Sequence, residues 1–212
     1  MPLADVLDLD ATVTSEVAPD LAVVTLAIVR EGPDVAPLTK DVNEALARAF
    51  ADAKAFAGVT TASGGYSTFP RFESRGSQSV RTGWQVRAEI VLKSRDFDAL
   101  GSLVGRLSQT LQIAGSGFEI SPELRAREGA SLIERGARAF QDRATAATRA
   151  LGYAGYSIRQ VTVGSAGQSG GGRLFAAMEA GGMSAKSAAP LPIESGRVTL
   201  SLSVNGSVQM HR

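Results

Sequence analysis

The sequence predicts an α+β fold in which antiparallel β-hairpins carry amphipathic helices on one face, with the chain arranged as two interleaved lobes. Several stretches alternate apolar with polar residues, which is the pattern of half-buried strands. Other stretches repeat their apolar residues every three or four positions, which is typical of amphipathic helices. Because most strands follow one another in pairs, the order favours antiparallel hairpins over a parallel sheet.

Two strands are predicted near the start of the chain. The apolar residues of the first strand alternate with acidic and hydroxyl residues and are Leu7, Leu9, Ala11 and Val13. Pro19 cannot donate a backbone hydrogen bond and Asp20 suits a turn, so the strand is expected to end there. Residues 21–29, LAVVTLAIV, are apolar on both faces. This predicts a central strand that is antiparallel to the first.

The first helix is predicted from position 37, where the apolar spacing changes to three and four. Its expected apolar seam is Leu38, Val42, Ala45, Ala49, Ala53 and Phe56. Residues 58–65, GVTTASGG, are expected to end this helix. A strand over 66–72 follows, with Pro70 marking a sheet edge or a bulge. A clearly alternating strand over 84–92 comes next.

The second helix is expected to begin after Ser94 or Asp96, either of which can serve as its N-cap. Its expected seam is Phe97, Leu100, Val104, Leu107 and Leu111. A short strand near Phe118 and Ile120 leads to the third helix.

The third helix has strong signals at both ends. Ser121 is a favourable N-cap, Pro122 suits the first helical position, and Gly152 suits the position just after the last turn. The expected seam consists mostly of small residues that allow close packing, and is Ala126, Ala130, Ile133, Ala137, Phe140, Ala144, Ala147 and Leu151.

The last part of the chain contains two predicted strands and a long loop between them. The strands cover residues 156–163 and 198–210. Residues 164–192 are rich in Gly, Ser and Ala and show no sustained period, which predicts a long exposed loop. The apolar face of the last strand is Val198, Leu200, Leu202, Val204, Val208 and Met210.

The other face of that last strand is a candidate assembly edge. It consists of hydroxyl and amide residues, chiefly Thr199, Ser201, Ser203 and Asn205. No lysine or proline protects this face from pairing with another chain. One hypothesis therefore places the strand at a sheet edge, where it pairs with a neighbouring subunit. The alternative places it between two strands of its own chain.

Composition narrows the functional classes. The 212 residues contain 22 Lys and Arg against 21 Asp and Glu, a net charge of +1. This balance offers no electrostatic basis for binding nucleic acid or an anionic membrane. With Cys 0, the chain has no disulfide, thiolate nucleophile or cysteine metal site. No apolar run is long enough to span a bilayer.

One stretch matches a catalytic pattern. Residues 167–171, Gly167-Gln168-Ser169-Gly170-Gly171, read as the G-x-S-x-G signature of serine hydrolases, and Glu179 or Glu194 followed by His211 could complete a triad. No helix pattern follows the serine, as a nucleophile elbow requires. The surrounding glycines also lack the lysine-serine of a phosphate-binding loop. We expect a chance match in a glycine-rich loop.

Other candidate sites are weaker. Asp8 and Asp10 share a strand face, which we interpret as solvated, and Met178 and Met183 lie in the predicted loop. We expect no metal and no cofactor. The aromatic-rich region suggests a surface for a partner or a ligand, formed by Tyr66, Phe69, Arg71 and Trp84.

Several segments together resemble the SIMPL-domain family of bacterial periplasmic or outer-membrane-associated proteins, which includes immunogenic outer-membrane proteins and oxidative-stress defence proteins. The matching segments are VAPDLAVVTLAIV, GYSTFPRFE, GWQVRAEIVLKSRDFDALGSLVGRL, the alanine-rich third helix, and PLPIESGRVTLSLSVNGSVQM. The glycine-rich opening expected before the first strand is replaced here by LDATVTSE. The likeness covers nearly the whole chain, as a single domain over 1–212 with a long loop at 164–192.

The resemblance implies export to the periplasm, with a leader peptide removed before residue 1, association with the outer membrane, and self-association into homo-oligomers. It carries over no catalytic residue. We therefore expect a non-enzymatic envelope protein that acts through self-assembly or partner binding, with a role in stress defence. The alternatives are a serine hydrolase that uses Ser169 and a carrier of an unknown small ligand near Tyr66 and Trp84.

Overall fold

The structure, a computed structural model, describes residues 5–76, 78–169 and 196–212. Within them the chain divides into two compact units. The continuous unit is formed by residues 20–119. The split unit is formed by segments from both ends of the chain, and its described residues are 5–19, 120–169 and 196–212. Each unit has its own sheet and its own hydrophobic core.

The described residues form helices and antiparallel strands, which confirms the α+β class. In chain order the elements are β1 (Val6–Val17), β2 (Leu21–Gly32), α1 (Val35–Ala53), β3 (Val59–Arg75), β4 (Gln78–Ser94), α2 (Phe97–Leu107), β5 (Gln112–Glu119), α3 (Pro122–Ala150), β6 (Gly155–Val163), β7 (Gly167–Ser169) and β8 (Val198–His211). The continuous unit contains β2 to β5 with α1 and α2. The split unit contains the remaining elements.

The sheet of the continuous unit has the strand order β3-β4-β2-β5. β2 is central, as its apolar sequence predicts, and even Ala27 on the face away from the helices is buried. α1 and α2 cover one face, and the core between them and the sheet includes Leu26, Ile28, Val42, Ala49, Val86, Ile90, Leu92 and Leu103. The predicted seams of both helices are largely confirmed, although Leu103 of α2 was missed and Phe97 is half-exposed.

The two candidate caps of α2 act together. Asp96 is the N-cap, and its side chain accepts a hydrogen bond from the backbone N–H of Ala99 at 2.9 Å. The Ser94 hydroxyl accepts from the N–H of Asp96 and donates to the carbonyl of Gly58, both at 2.9 Å. This buried hydroxyl thus ties the start of α2 to the start of β3. Ser121 caps α3 as predicted.

The sheet of the split unit has β8 at its centre. β1 and β8 are antiparallel over their whole length, from Val6 opposite Gln209 to Val17 opposite Val198. On its other side β8 pairs with β6 and, over three residues, with β7. The predicted apolar face of β8 is confirmed, since all six of its residues are buried. α3 packs on this face.

The predicted seam of α3 is wrong over most of its length. Apart from position 128, which is only partly buried, the buried positions recur every four residues and are Leu124, Leu132, Gly136, Phe140, Ala144 and Thr148. Only Phe140 and Ala144 were expected among them, whereas Ile133 and Leu151 are half-exposed. The helix approaches β8 most closely at Gly136, where a Cβ atom would lie 2.9 Å from Cγ2 of Val204. A seam of alanines does not reveal which stripe faces the sheet, because alanine is common on both faces of a helix.

Two predictions about the strands are also wrong. β1 and β2 do not form a hairpin, because β1 pairs with β8 and β2 pairs with β4 and β5. β8 offers β1 a matching apolar and polar alternation over its full length, and this outweighs closeness in sequence. β3 starts at Val59, inside the stretch expected to be a loop.

The candidate assembly edge on β8 does not exist in this fold. Thr199, Ser201, Ser203 and Asn205 lie on a strand that is paired on both sides, so its backbone groups are bonded within the chain. The alternative, a strand between two others, is what the structure shows. Residues 164–169 of the predicted loop include the short strand β7, and residues 170–192 lie outside the described residues.

A glycine on β8 marks the tightest contact in the split unit, and its replacement tests the packing. A Cβ atom on Gly206 would meet the carbonyl oxygen of Gln160 and lie 3.0 Å from Cζ of Phe140. We expect Gly206→Ala to lower the free energy of unfolding by about 1–3 kcal/mol in a denaturant titration, because the fully buried ring and the β6 backbone must both move. Gly117→Ala is the control, since a Cβ there meets nothing within 4 Å. Equal stability of the two variants would contradict this packing argument.

Candidate functional site

The β3–β4 hairpin extends beyond the rest of its sheet. β2 ends at Gly32, opposite Trp84, so residues 71–83 pair only with one another within the described part of the chain. We call residues 71–83 the hairpin arm. Its turn lies at Gly76, which has a positive φ of 63°. A two-stranded ribbon of this kind has no core of its own.

Large apolar side chains are exposed on and beside this arm. Phe72 is 58% exposed and Val80 is 40% exposed, and at the base of the arm Phe69 is 54% exposed. Solvent-exposed aromatic side chains that cluster on one element are a common sign of an interaction surface. The hairpin arm with its base is therefore the candidate functional site of the continuous unit.

The four residues predicted to form one aromatic surface are divided between the two sides of the sheet. Directly opposed residues in an antiparallel pair share a face. Tyr66 lies opposite Ala88, and Trp84 lies opposite Pro70, on the side that α1 and α2 cover. Phe69 and Arg71 lie on the open side. The structure therefore does not bring these four residues together on one face of the sheet.

A β-bulge in β3 comes just before these residues. β3 advances three residues from Ser63 to Tyr66 while β4 advances only two, from Ile90 to Ala88. The extra residue turns the rest of β3 over with respect to simple alternation. Glycine is needed here, because a Cβ on Gly64 would lie only 2.7 Å from the Cβ of Glu89.

Polar contacts hold the base of the arm. On the open side, Nη1 of Arg71 lies 2.6 Å from a carboxylate oxygen of Glu31, and the side-chain amide of Gln85 donates to the other oxygen at 3.1 Å. On the opposite side, the guanidinium of Arg81 lies 5.2 Å from the centroid of the Trp84 ring, a cation–π distance. Both contacts connect the arm to the last residues of the four-stranded sheet, so they fix the direction in which the arm leaves it.

The bulge also holds an ionised carboxylate. Nε and Nη2 of Arg87 donate to Glu89 at 3.1 and 2.7 Å, and the N–H of Gly65 donates to its other oxygen at 3.4 Å. The hydrogen bonds from Arg87 lower the pKa of Glu89 below its ordinary value, with a further contribution from Gly65, while partial burial opposes them. Glu89 therefore stays charged and clamps the bulge.

The hydrolase motif is not assembled in the described residues. Ser169 lies in β7 opposite Thr199, whereas His211 lies at the far end of β8, opposite Gly155. Twelve residues of extended strand at about 3.3 Å each separate the two positions by roughly 40 Å. His211 instead lies 3.0 Å from the hydroxyl of Ser157. Gly170, Gly171, Glu179 and Glu194 lie outside the described residues.

The two aspartates considered as metal ligands lie on the open face of the split-unit sheet. Asp8 and Asp10 line a shallow, polar depression of about 480 Å³, together with Gln160, Thr162, Asn205 and Ser207. Asp10 is 3.6 Å from Nη1 of Arg143, so part of its charge is already balanced. Within residues 5–76, 78–169 and 196–212, no cluster of three acidic or histidine side chains could hold a metal ion. Met178 and Met183 lie outside these residues.

The described helices include none that is both long and apolar enough to cross a bilayer. The molecule is thus an α+β protein of two sheet-and-helix units. The family model described as SIMPL, a protein of unknown function (DUF541), matches residues 7–208. The chain belongs to this family. No curated protein matches the chain significantly.

Sequence reasoning missed most of the residues that shape the arm. Glu31, Glu89 and Arg81 were not singled out. One signal could have found the arm, because an alternating pattern continues on both sides of the glycine turn for longer than β2 can match. The two consecutive glycines, Gly64 and Gly65, could likewise have suggested a bulge.

The clamp on the bulge makes a pH-dependent prediction. A carboxylate whose pKa is lowered by folding stabilises the protein above its unfolded pKa, and this contribution is lost as the pH falls through the folded pKa. We expect Glu89→Gln to lower the free energy of unfolding by about 1 kcal/mol at neutral pH. The difference from the wild type should begin to shrink near pH 4.5, the ordinary pKa of this carboxyl, and disappear only when the pH falls below the lowered pKa of the folded state.

Glu44→Gln is a matched control for this measurement. Its carboxylate makes only a surface pair with Lys40 at 3.9 Å, so its removal should change stability by less than about 0.5 kcal/mol. A Glu89→Gln effect that persists unchanged at low pH would show that the carboxylate charge does not stabilise the bulge.

Proposed function

We propose that this protein is a non-enzymatic protein of the bacterial periplasm that acts through protein–protein contacts, either self-assembly or binding of a partner. The hairpin arm and its base are the contact surface. A role in defence against oxidative stress is part of this proposal. It is supported by the resemblance described above, while the contact surface is supported by the structure.

The observation that carries the proposal is the exposure of Phe72 on the hairpin arm and of Phe69 at its base, on opposite faces of a ribbon that only its base holds in place. Burying a phenylalanine side chain contributes about 1.5–3 kcal/mol, so leaving two of them half-exposed forgoes stability within the chain. A partner that covers the arm recovers this energy. The contact would also give the two-stranded ribbon the packed surface that an isolated hairpin lacks.

The charges around the arm favour a mainly apolar partner surface. Arg71 is already paired with Glu31, and the guanidinium of Arg81 is directed at Trp84. Both cations therefore interact with residues of their own chain, and these contacts orient the arm. The side chains left to contact a partner are chiefly Phe69, Phe72 and Val80.

Replacing the exposed phenylalanines tests the proposal in cells. We expect the double variant Phe69→Ser/Phe72→Ser to remain folded, because neither side chain is in the core, and to fail to restore peroxide resistance to a strain that lacks the protein. Ile113→Ser, which removes a 49% exposed side chain from β5, should restore it fully. Full restoration by the folded double variant would refute the arm as the contact surface, and a wild-type protein found in the cytoplasm on fractionation would refute the location.

An enzymatic assay tests the other half of the proposal. The purified protein should not turn over activated esters above the background rate, because Ser169 pairs with one end of β8 while His211 lies at its other end. Turnover by the wild type that Ser169→Ala abolishes would instead establish a serine hydrolase. Ser165→Ala is a suitable control, since it changes a nearby serine outside the motif.

A further inference from the structure

The two edges of the split-unit sheet are treated differently. At the β1 edge, Nη2 of Arg135 donates to the carbonyl of Thr14 at 2.9 Å, and Nη1 of Arg143 donates to the carbonyl of Asp10 at 2.6 Å. Both arginines belong to α3. They occupy carbonyl groups that another strand would need, which is a known way to prevent edge pairing.

The β6 edge has no such protection within the described part of the chain. There, β6 pairs only with β8, and no described side chain bonds to its backbone. Its one charged residue, Arg159, lies at the irregularity between Ile158 and Gln160. An open strand of nine residues that carries a single charge offers little resistance to pairing with another strand.

An apolar groove runs beside this edge. The register with β8 places Ile158, Val161 and Val163 on the side where α3 lies, and they are 48%, 39% and 44% exposed. The neighbouring stripe of α3 is Gly129, Ile133, Ala137 and Gln141. Gly129 faces Ala166 at one end of the stripe, and the carbonyl of Gln141 accepts from the hydroxyl of Tyr156 at the other. Ile133, 48% exposed, and Ala137 therefore lie over β6 between these contacts.

We infer that β6 is a strand-pairing edge whose occupant is β6 of a second copy of this chain, in an antiparallel pair related by a two-fold axis. This inference rests on the self-assembly branch of the proposed function and uses a surface different from the hairpin arm. It would make one continuous sheet from the sheets of two split units.

The face pattern of β6 favours a second copy over an unrelated peptide. In an antiparallel pair related by a two-fold axis, like faces meet. The apolar side of β6 would meet the apolar side of its copy, and Ser157, Gln160 and Thr162 would meet their counterparts on the open side. The net charge of +1 sets up no repulsion between copies. A lone peptide would bury only one groove, whereas a second copy buries both.

The dimensions agree with this arrangement. α3 lies over β8, so three strand spacings of about 4.8 Å would place the two copies of α3 roughly 14 Å apart. Helices in direct contact are about 8–10 Å apart, so a gap would remain between them. Ile133 and Val161 of both copies lie where they would fill that gap. This explains why a long aliphatic side chain occupies an otherwise alanine-rich stripe.

A charge placed in the groove tests the pairing. Val161→Lys should lower the mass of the full-length protein at least about two-fold in light scattering, since each copy would bring a charge into the apolar contact. Ile113→Lys on β5 is the matched control, because this 49% exposed side chain lies outside both proposed contact surfaces, and it should leave the mass unchanged. If the wild type assembles and folded Val161→Lys assembles unchanged, the β6 contact is wrong, although self-assembly stands.

Distances between labelled copies provide a test that does not depend on disrupting the fold. The chain contains no cysteine, so single substitutions allow specific spin labelling. Asp8, Ser207 and Gln160 lie in one row across β1, β8 and β6. Labels at Gln160→Cys in two copies should be about 20 Å closer than labels at Asp8→Cys, which are two strands further out on each side. Asp8 labels at the shorter distance would overturn the inference, and so would a monomeric wild type, which would leave only the partner-binding branch of the proposed function.

Discussion

The pairing of β1 with β8 is the constraint on which the rest of the fold depends. It joins the two ends of the chain over the full length of β1 and requires residues 20–119 to form a sheet and core of their own. Bringing distant segments together costs loop-closure entropy, which local contacts do not offset. The offset comes from β8, whose apolar face is buried, most of it in the core that it shares with α3. A last strand with an incomplete apolar face would leave β1 without a stable partner.

The packing of α3 on β8 depends on two glycines that lie where the surfaces meet. Gly136 lets the helix backbone approach Val204, and Gly206 leaves room for the ring of Phe140. These contacts fix the height and the rotation of α3 over the sheet. Its arginines then reach the edge of β1, and its Ile133 stripe lies over β6. The different character of the two sheet edges is therefore a consequence of how one helix is seated.

Both surfaces proposed for binding arise where a strand extends beyond the layer that covers it. β3 and β4 continue past the end of β2, and β6 lies at the margin of α3. In each place apolar side chains are left about half-exposed, because their neighbours on one side are missing. The polar contacts around Glu31 and Glu89 hold the base of the arm in a defined direction. A surface held in this way loses little conformational entropy on binding, which favours contact with a partner.

The amino-acid sequence by itself determined the α+β class, the caps at Asp96 and Ser121, the central position of β2 and the apolar face of β8. Each of these follows from local periodicity or from backbone chemistry that neighbouring residues supply. Only the tertiary structure decided that β1 pairs with β8 rather than β2, that α3 buries Leu132 and not Ile133, and that β3 carries a bulge between Ser63 and Tyr66. These outcomes depend on competition between distant segments, on close approach at glycines and on a bulge that reverses alternation. A pattern of residues along one strand does not contain that information, because the partner strand supplies half of it.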